Sequence, residues 1–177
     1  MSTTTWNFDL AHSALRFSVR HMMFSKVHGS FGSWRGELRY DSEALAASGV
    51  SVEVDIESID TGNADRDNHL RSPDFFDAAQ FPTMRFASER LEERGDDGFV
   101  LHGALTLRGV TLPLALEARK EGEGRDPWGL QRVAFSAKGK LSRKAFGLQW
   151  NQALETGGVL VGDEIEIALD VQATRQP

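Results

Sequence analysis

The sequence predicts an all-β protein: an antiparallel barrel, closed or nearly so, of about eight strands with one short helical insert. Two-residue alternation of apolar and polar side chains recurs along the chain, the pattern of strands with one buried face. Turn residues follow at short intervals. No helical partner repeats between the strands, which disfavours a parallel α/β fold. Seventeen glycines and eleven phenylalanines against one tyrosine suit a sheet protein with many bends and phenylalanine-filled faces.

A strand pattern opens at Trp6 to Asp9. Leu15, Phe17 and Val19 then alternate with Arg16, Ser18 and Arg20, and Val27 to Tyr40 reads as a further strand after an apolar tip. Ser42 to Ser48 contains alanines and suits a short turn of helix before Val50, Val52, Val54 and Ile56 resume the alternation. The segment from Ala64 to Ala79 breaks the rhythm. It is polar and helix-compatible, split by Pro73, and followed by the aromatic pair Phe75-Phe76. Thr83 to Leu91 supplies another strand, and the acidic run Glu92 to Gly98 a solvated hairpin turn. Phe99, Leu101, Gly103, Leu105 and Leu107 form one face, and Val110, Leu112, Leu114 and Leu116 the next, with Arg108-Gly109 as a tight hairpin between them. Glu121 to Trp128 reads as an exposed connection, Trp128 to Leu141 as a strand, and Ile165, Ile167, Leu169 and Val171 as the last inward face.

At 177 residues, with no Ser/Pro/Gly-rich linker, residues 1–177 are expected to form a single domain. The 40% hydrophobic and 26% charged composition is that of an ordinary globular chain. A formal charge of −6 argues against a broad grip on nucleic acid or anionic lipid. The absence of cysteine excludes thiol catalysis and disulfides. The opening Met1 to Trp6 carries neither a basic start nor an apolar run, so a soluble, cytoplasmic protein is expected.

Arg66, Asp67, His69 and Arg71 in the insert are candidates for contacting a ligand's polar head, since arginine offers fixed donors and histidine donates or accepts. The same side chains equally suit a structural network around a short helix with orphan backbone groups. The five histidines lack metal-ligand spacing, so no metal is expected. Only a turn centred on Phe24-Ser25 would set His21 opposite His28. No catalytic residue is assigned: no carboxylate pair stands out, and no G-x-S-x-G elbow, phosphate loop or dinucleotide fingerprint occurs. Met22, Met23 and Phe24, flanked by Arg20 and Lys26, resemble a membrane-touching tip, and would serve equally as rim packing or a dimer contact. The inward candidates Phe17, Val19, Phe31, Val52, Val54, Phe86, Leu105, Leu107, Leu114, Phe135 and Leu169, with Phe75 and Phe76 closing one end, either line a cavity or fill a solid barrel.

The chain also resembles a known family. Phe17-Ser18-Val19-Arg20-His21, Val27-His28-Gly29-Ser30-Phe31, Arg66 to Ser72, Asp74-Phe75-Phe76-Asp77, Phe81-Pro82 and Leu105 to Thr111 are similar to motifs of the YceI-like family, in order and spacing. Arg143, Phe146-Gly147-Leu148 and Val161 to Glu164 extend the resemblance towards the C-terminus. The resemblance implies an extended, lipocalin-like barrel that encloses a polyisoprenoid chain, often as a homodimer, with no established catalytic residues. Many relatives are exported, and the lack of a leader in this chain departs from them. The expected function is then a non-enzymatic carrier or store for a polyprenyl lipid or isoprenoid quinone, its only bound group, with transient membrane contact and no required cofactor. The alternatives are an enzyme using Asp67 and His69 as acid and base on a small apolar substrate, and a stress-response dimer with a filled interior.

Overall fold

The computed structural model describes residues 4–155 and 158–175. Eleven strands form one antiparallel sheet: β1 (Thr4–Phe8), β2 (Ala14–His21), β3 (Ser25–Phe31), β4 (Trp34–Tyr40), β5 (Gly49–Asp55), β6 (Ile59–Asp60), β7 (Thr83–Arg94), β8 (Gly98–Leu107), β9 (Val110–Arg125), β10 (Gln131–Ser142) and β11 (Val161–Arg175). The helix α1 (Ala64–Arg71) lies between β6 and β7. Three pairs of these strands act as single bent ones. β1 and β2 follow one another along β11: Phe8 pairs with Ala173, and Ala14 with Asp170. The 3-10 turn Leu10–His12 bulges out at the join, where the Gln172 carbonyl accepts from Asp9 N–H at 2.8 Å and Gln172 N–H donates to Ser13 Oγ at 3.0 Å. No ladder group there is left orphaned. β3 and β4, and β5 and β6, are continuous in the same sense, and the result is a closed barrel of eight long strands.

Several boundaries differ from the sequence pattern. Val27 to Tyr40 is broken at Gly32-Ser33, where the chain leaves β6 as neighbour and takes β5. Alternation survives that bend and so hides it. The insert is helical only to Arg71; residues 73–80 continue as turns, with Asp77 at φ 53°. Ser72, which precedes Pro73, is extended at ψ 168°, as a residue before proline prefers. Ser42 to Ser48 contributes only the 3-10 turn Leu45–Ala47. Glu121 to Arg125, expected in a loop, extends β9 with Gly122 and Gly124 paired to Ala134 and Arg132, and the true connection is the turn Asp126 to Leu130.

The up-and-down order places α1, the Arg108-Gly109 turn, the β2–β3 tip and the segment between β10 and β11 at one end. The opposite end is plugged by Trp6, Leu38, Tyr40, Val133 and Ala173, with Leu45 and Phe135 packed on them. Burying each large apolar side chain contributes about 1.5–3 kcal/mol, so this plug helps to hold that end of the barrel closed. A larger cluster, including Phe31, Trp34, Ile56, Ile59, Phe75 and Phe146, lies towards α1.

Candidate functional site

Between plug and helix runs a cavity of about 280 Å³. That volume lies at the lower edge of the ~300–1,000 Å³ of small-molecule pockets. It is long for its volume. Lining residues extend along β8 from Phe99 to Leu107, about 27 Å at ~3.4 Å per strand residue. All thirteen inward candidates, from Phe17 to Leu169 and including Phe75 and Phe76, line it. The pattern did not single out Phe8, Trp34, Tyr40, Met84, Leu148 or Val161, which also contribute to the wall. Phe8, Trp34, Tyr40 and Met84 lie in strand segments read from the pattern, whose inward face near the bends was not legible, whereas Leu148 lies outside any strand and Val161 opens β11 four residues ahead of the face read from Ile165.

Strand glycines decide how the aromatic rings lie. Phe17 pairs with Gly29 across the ladder, and its ring occupies the space a Cβ at Gly29 would take. Phe86 does the same over Gly103, where an added Cβ would lie 2.5 Å from its Cζ. These glycines therefore seat rings from neighbouring strands and add no extra room to the cavity. Phe31 joins the Phe17 ring, at 5.6 Å between centroids, to Phe76 at 6.0 Å, so aromatic contact continues from the wall to the closing end.

None of Arg66, Asp67, His69 and Arg71 lines the cavity. Asn63 caps α1 by accepting from Arg66 N–H at 3.0 Å, and Asp65 and Asp67 in the first turn with His69 and Arg71 in the last complement the helix dipole. Asp67 is buried and accepts from both Thr61 N–H, at 2.9 Å, and Thr61 Oγ1, at 2.5 Å. Arg66 donates to Thr61 Oγ1 and to its carbonyl at 2.8 and 2.7 Å. Arg71 donates to the carbonyls of Glu57 and Ile59 at 3.2 and 3.1 Å, tying the helix to β6. His69 is bound to Asp74 at 2.9 Å, and its ring meets Phe75 and Trp150 edge-on at 5.0 and 4.7 Å. Asp67 and His69 thus have separate partners and form no acid–base pair. Arg66, Asp67 and Arg71 bond to the segment Glu57 to Thr61, while His69 alone of the four packs against Phe75.

The polar groups on the wall lie elsewhere. At the plug end Tyr40 is buried, its hydroxyl donating to Glu123 at 2.8 Å and accepting from Lys120 at 3.3 Å. Burial, then the Glu123 carboxylate, pushes the Tyr40 phenol up. Burial works against the Lys120 charge, but the bonds to Tyr40 and Glu123 outweigh it and raise the ammonium. At the α1 end stands Arg143, only 3% exposed, with its guanidinium carbon 5.9 Å from the Phe75 ring centre. Its Nη1 donates to the carbonyls of Leu148 and Trp150 at 2.7 and 2.9 Å, Nε to Gly162 at 2.8 Å and Nη2 to Val161 at 3.1 Å. Composition and spacing did not single out this residue. Only the family resemblance marked it.

Met22, Met23 and Phe24 are 40%, 52% and 78% exposed at the β2–β3 tip. Met22 and Met23 have φ of 53° and 68°, a left-handed pair that hairpin turns normally fill with Asn-Gly. His21 pairs with Ser25, so the turn centres on Met22-Met23 and His28 faces Ser18; the conditional pairing of His21 with His28 does not arise. Among the described residues no group of three His, Asp or Glu side chains is placed to hold a metal.

Comparison with known proteins agrees with this architecture. The chain is 41% identical over 139 residues to a UPF0312 protein of Vibrio cholerae, covering 78% of this chain and 74% of the relative. A UPF0312 protein of Shewanella oneidensis is 40% identical over 139 residues, with coverages of 78% and 73%. Among solved structures, Burkholderia cenocepacia BcnA superposes with a TM-score of 0.83 at 21% identity, over 94% of this chain and 99% of that one. The Campylobacter jejuni YCEI protein gives 0.76 at 28% identity, over 89% and 90%. A polyisoprenoid binding domain from Saccharophagus degradans gives 0.68 at 13% identity, over 97% and 98%, which shows a shared fold. The YceI-like domain model matches residues 6–173, and with the eight-stranded barrel and its motifs in place the chain belongs to the YceI-like domain family.

Proposed function

We propose that this barrel takes up the apolar chain of an isoprenoid lipid, a polyprenyl lipid or an isoprenoid quinone, and holds it as a carrier or store without chemistry on it. The observation that carries the reading is the long, narrow, apolar cavity between the Tyr40 plug and the Phe75-Phe76 closure. Its shape suits an unbranched or methyl-branched chain better than a compact solute. The polyisoprenoid binding domain of Saccharophagus degradans, which shares the fold, supports the same ligand class. A lipid tail in a bilayer is already out of water, so the gain of about 0.8 kcal/mol per methylene on leaving water largely cancels in the exchange. Selection then rests on chain shape and on the head. The tip of Met22, Met23 and Phe24 is the proposed point of transient contact with the donor membrane, since Phe24 is almost fully exposed at the end where the cavity is closed by helix and aromatics. Pairing into a homodimer belongs to the same proposal and is checked by sedimentation of the purified protein.

The direct test is mass spectrometry of an organic extract from gently purified protein, beside an extract of an unrelated protein prepared identically. A near-stoichiometric isoprenoid is expected. An empty extract, still empty after the protein is offered quinone and polyprenol, would reject the reading in favour of an interior that holds no guest.

A further inference from the structure

Arg143 presents a charge without a counter-charge. It is nine-tenths buried or more, it forms no ion pair among the described residues, and all four of its bonds go to backbone carbonyls. The nearest acidic influence is Asp163, whose carboxylate is itself occupied by Ser142 Oγ at 2.7 Å and Lys144 N–H at 3.0 Å. Burial accordingly pulls the guanidinium below its ordinary value, with Asp163 acting in the other direction. A guanidinium has five N–H donors; four are assigned here, and one on Nη2 is not. A buried cation with an unused donor is costly unless something else accepts from it. Arg143 lines the cavity together with Phe75, Leu148 and Val161, so a guest held there is the candidate acceptor for that donor.

Resting on the carrier reading above, we propose that Arg143 recognises the head of the bound lipid: its remaining Nη2–H donates to a neutral carbonyl oxygen, as on a quinone ring. The head then lies at the α1 end beside Phe75, with the tail running towards Tyr40. One donor among aromatic rings suits a flat, neutral carbonyl. A phosphate would bring several oxygen atoms that a single N–H cannot satisfy, and their desolvation would weaken binding. The ring of Phe75, held from behind by His69 and Trp150, offers a stacking surface for such a head.

The test uses three ligands with one common prenyl tail: the benzoquinone, the plain hydrocarbon and the monophosphate, each titrated into delipidated full-length protein. The quinone is expected to bind about tenfold more tightly than the hydrocarbon, the worth of a hydrogen bond to a charged group, with no advantage for the phosphate. In Arg143→Met that preference disappears. Equal binding of quinone and hydrocarbon by the unaltered protein, or a preference that survives in Arg143→Met, overturns the proposal while leaving the carrier reading intact; a tighter phosphate overturns the carbonyl class. Failure of all three to bind rejects the carrier reading itself. Because Arg143 ties together four carbonyls, its variant is checked for fold by near-ultraviolet circular dichroism. Should it not fold, an azido-quinone on the unaltered protein decides: crosslinks to Phe75 or to residues 143–150 support the proposal, and crosslinks near Tyr40 or Lys120 overturn it.

Discussion

Met22 and Met23 occupy backbone conformations that cost side chains with a Cβ of order 1–2 kcal/mol each. A hairpin under selection for stability alone would carry Asn-Gly there. The strain is consistent with a tip kept apolar for contact, and it predicts effects of opposite sign. Met22→Asn with Met23→Gly is expected to raise stability by about 1–2 kcal/mol in urea unfolding, yet to slow lipid exchange with vesicles. Faster or unchanged exchange would remove the tip from the transfer step. A methyl group at Gly29 has the reverse logic: it collides with the Phe17 ring, so Gly29→Ala is expected to lower stability by about 1–3 kcal/mol, measured as a shift in urea midpoint.

At the scale of elements, charge holds the bend between β1 and β2 to its surroundings. Arg132 on β10 donates to Asp9 at 2.7 Å and to Asp126 at 2.8 Å, joining the 3-10 turn after β1 to the β9–β10 turn. The Arg132 bond holds the Asp9 carboxyl low, and Asp126, although burial works the other way, is held low by Leu130 N–H and Arg132. Folded pKa values below the unfolded ones mean that this stabilisation is complete above about pH 4, the unfolded Asp range, and is lost as pH falls through the lower folded values. The stability gap between the natural protein and Arg132→Gln is therefore expected to be largest near neutrality and to shrink below about pH 4, read from urea midpoints across that range. Strands of this kind were legible because one face is dry and one is wet: Val110 to Leu116 and Phe99 to Leu107 announce themselves. Breaks such as Gly32-Ser33 were not, since a strand that changes neighbours keeps its alternation. The insert shows a deeper limit. Arg66, Asp67, His69 and Arg71 have the chemistry of a binding site, but Thr61, Glu57, Ile59 and Asp74 satisfy them, and those partners come from spatial proximity that composition does not encode.

For the molecule as a whole, the cavity competes with the core for the same side chains. Ala137 on β10 lines it, and Ala137→Phe places a ring where a guest would lie. Because that ring fills space already present, thermal stability is expected to hold or rise while lipid recovered per protein falls several-fold. Retained lipid in a well-folded Ala137→Phe protein would place the guest outside the barrel. The closed ring also has a consequence in time. β1 finds one neighbour in β4 and its other only in β11, so Phe8 waits for Ala173. Contacts so far apart in the chain place folding at the slow end, on the order of milliseconds to seconds. Throughout that interval the apolar wall is open along a seam that afterwards does not exist. On the proposed carrier reading, a lipid present while the seam closes would be enclosed directly, whereas one offered later would have to enter the finished barrel, so the history of the chain as well as its affinity would set its load.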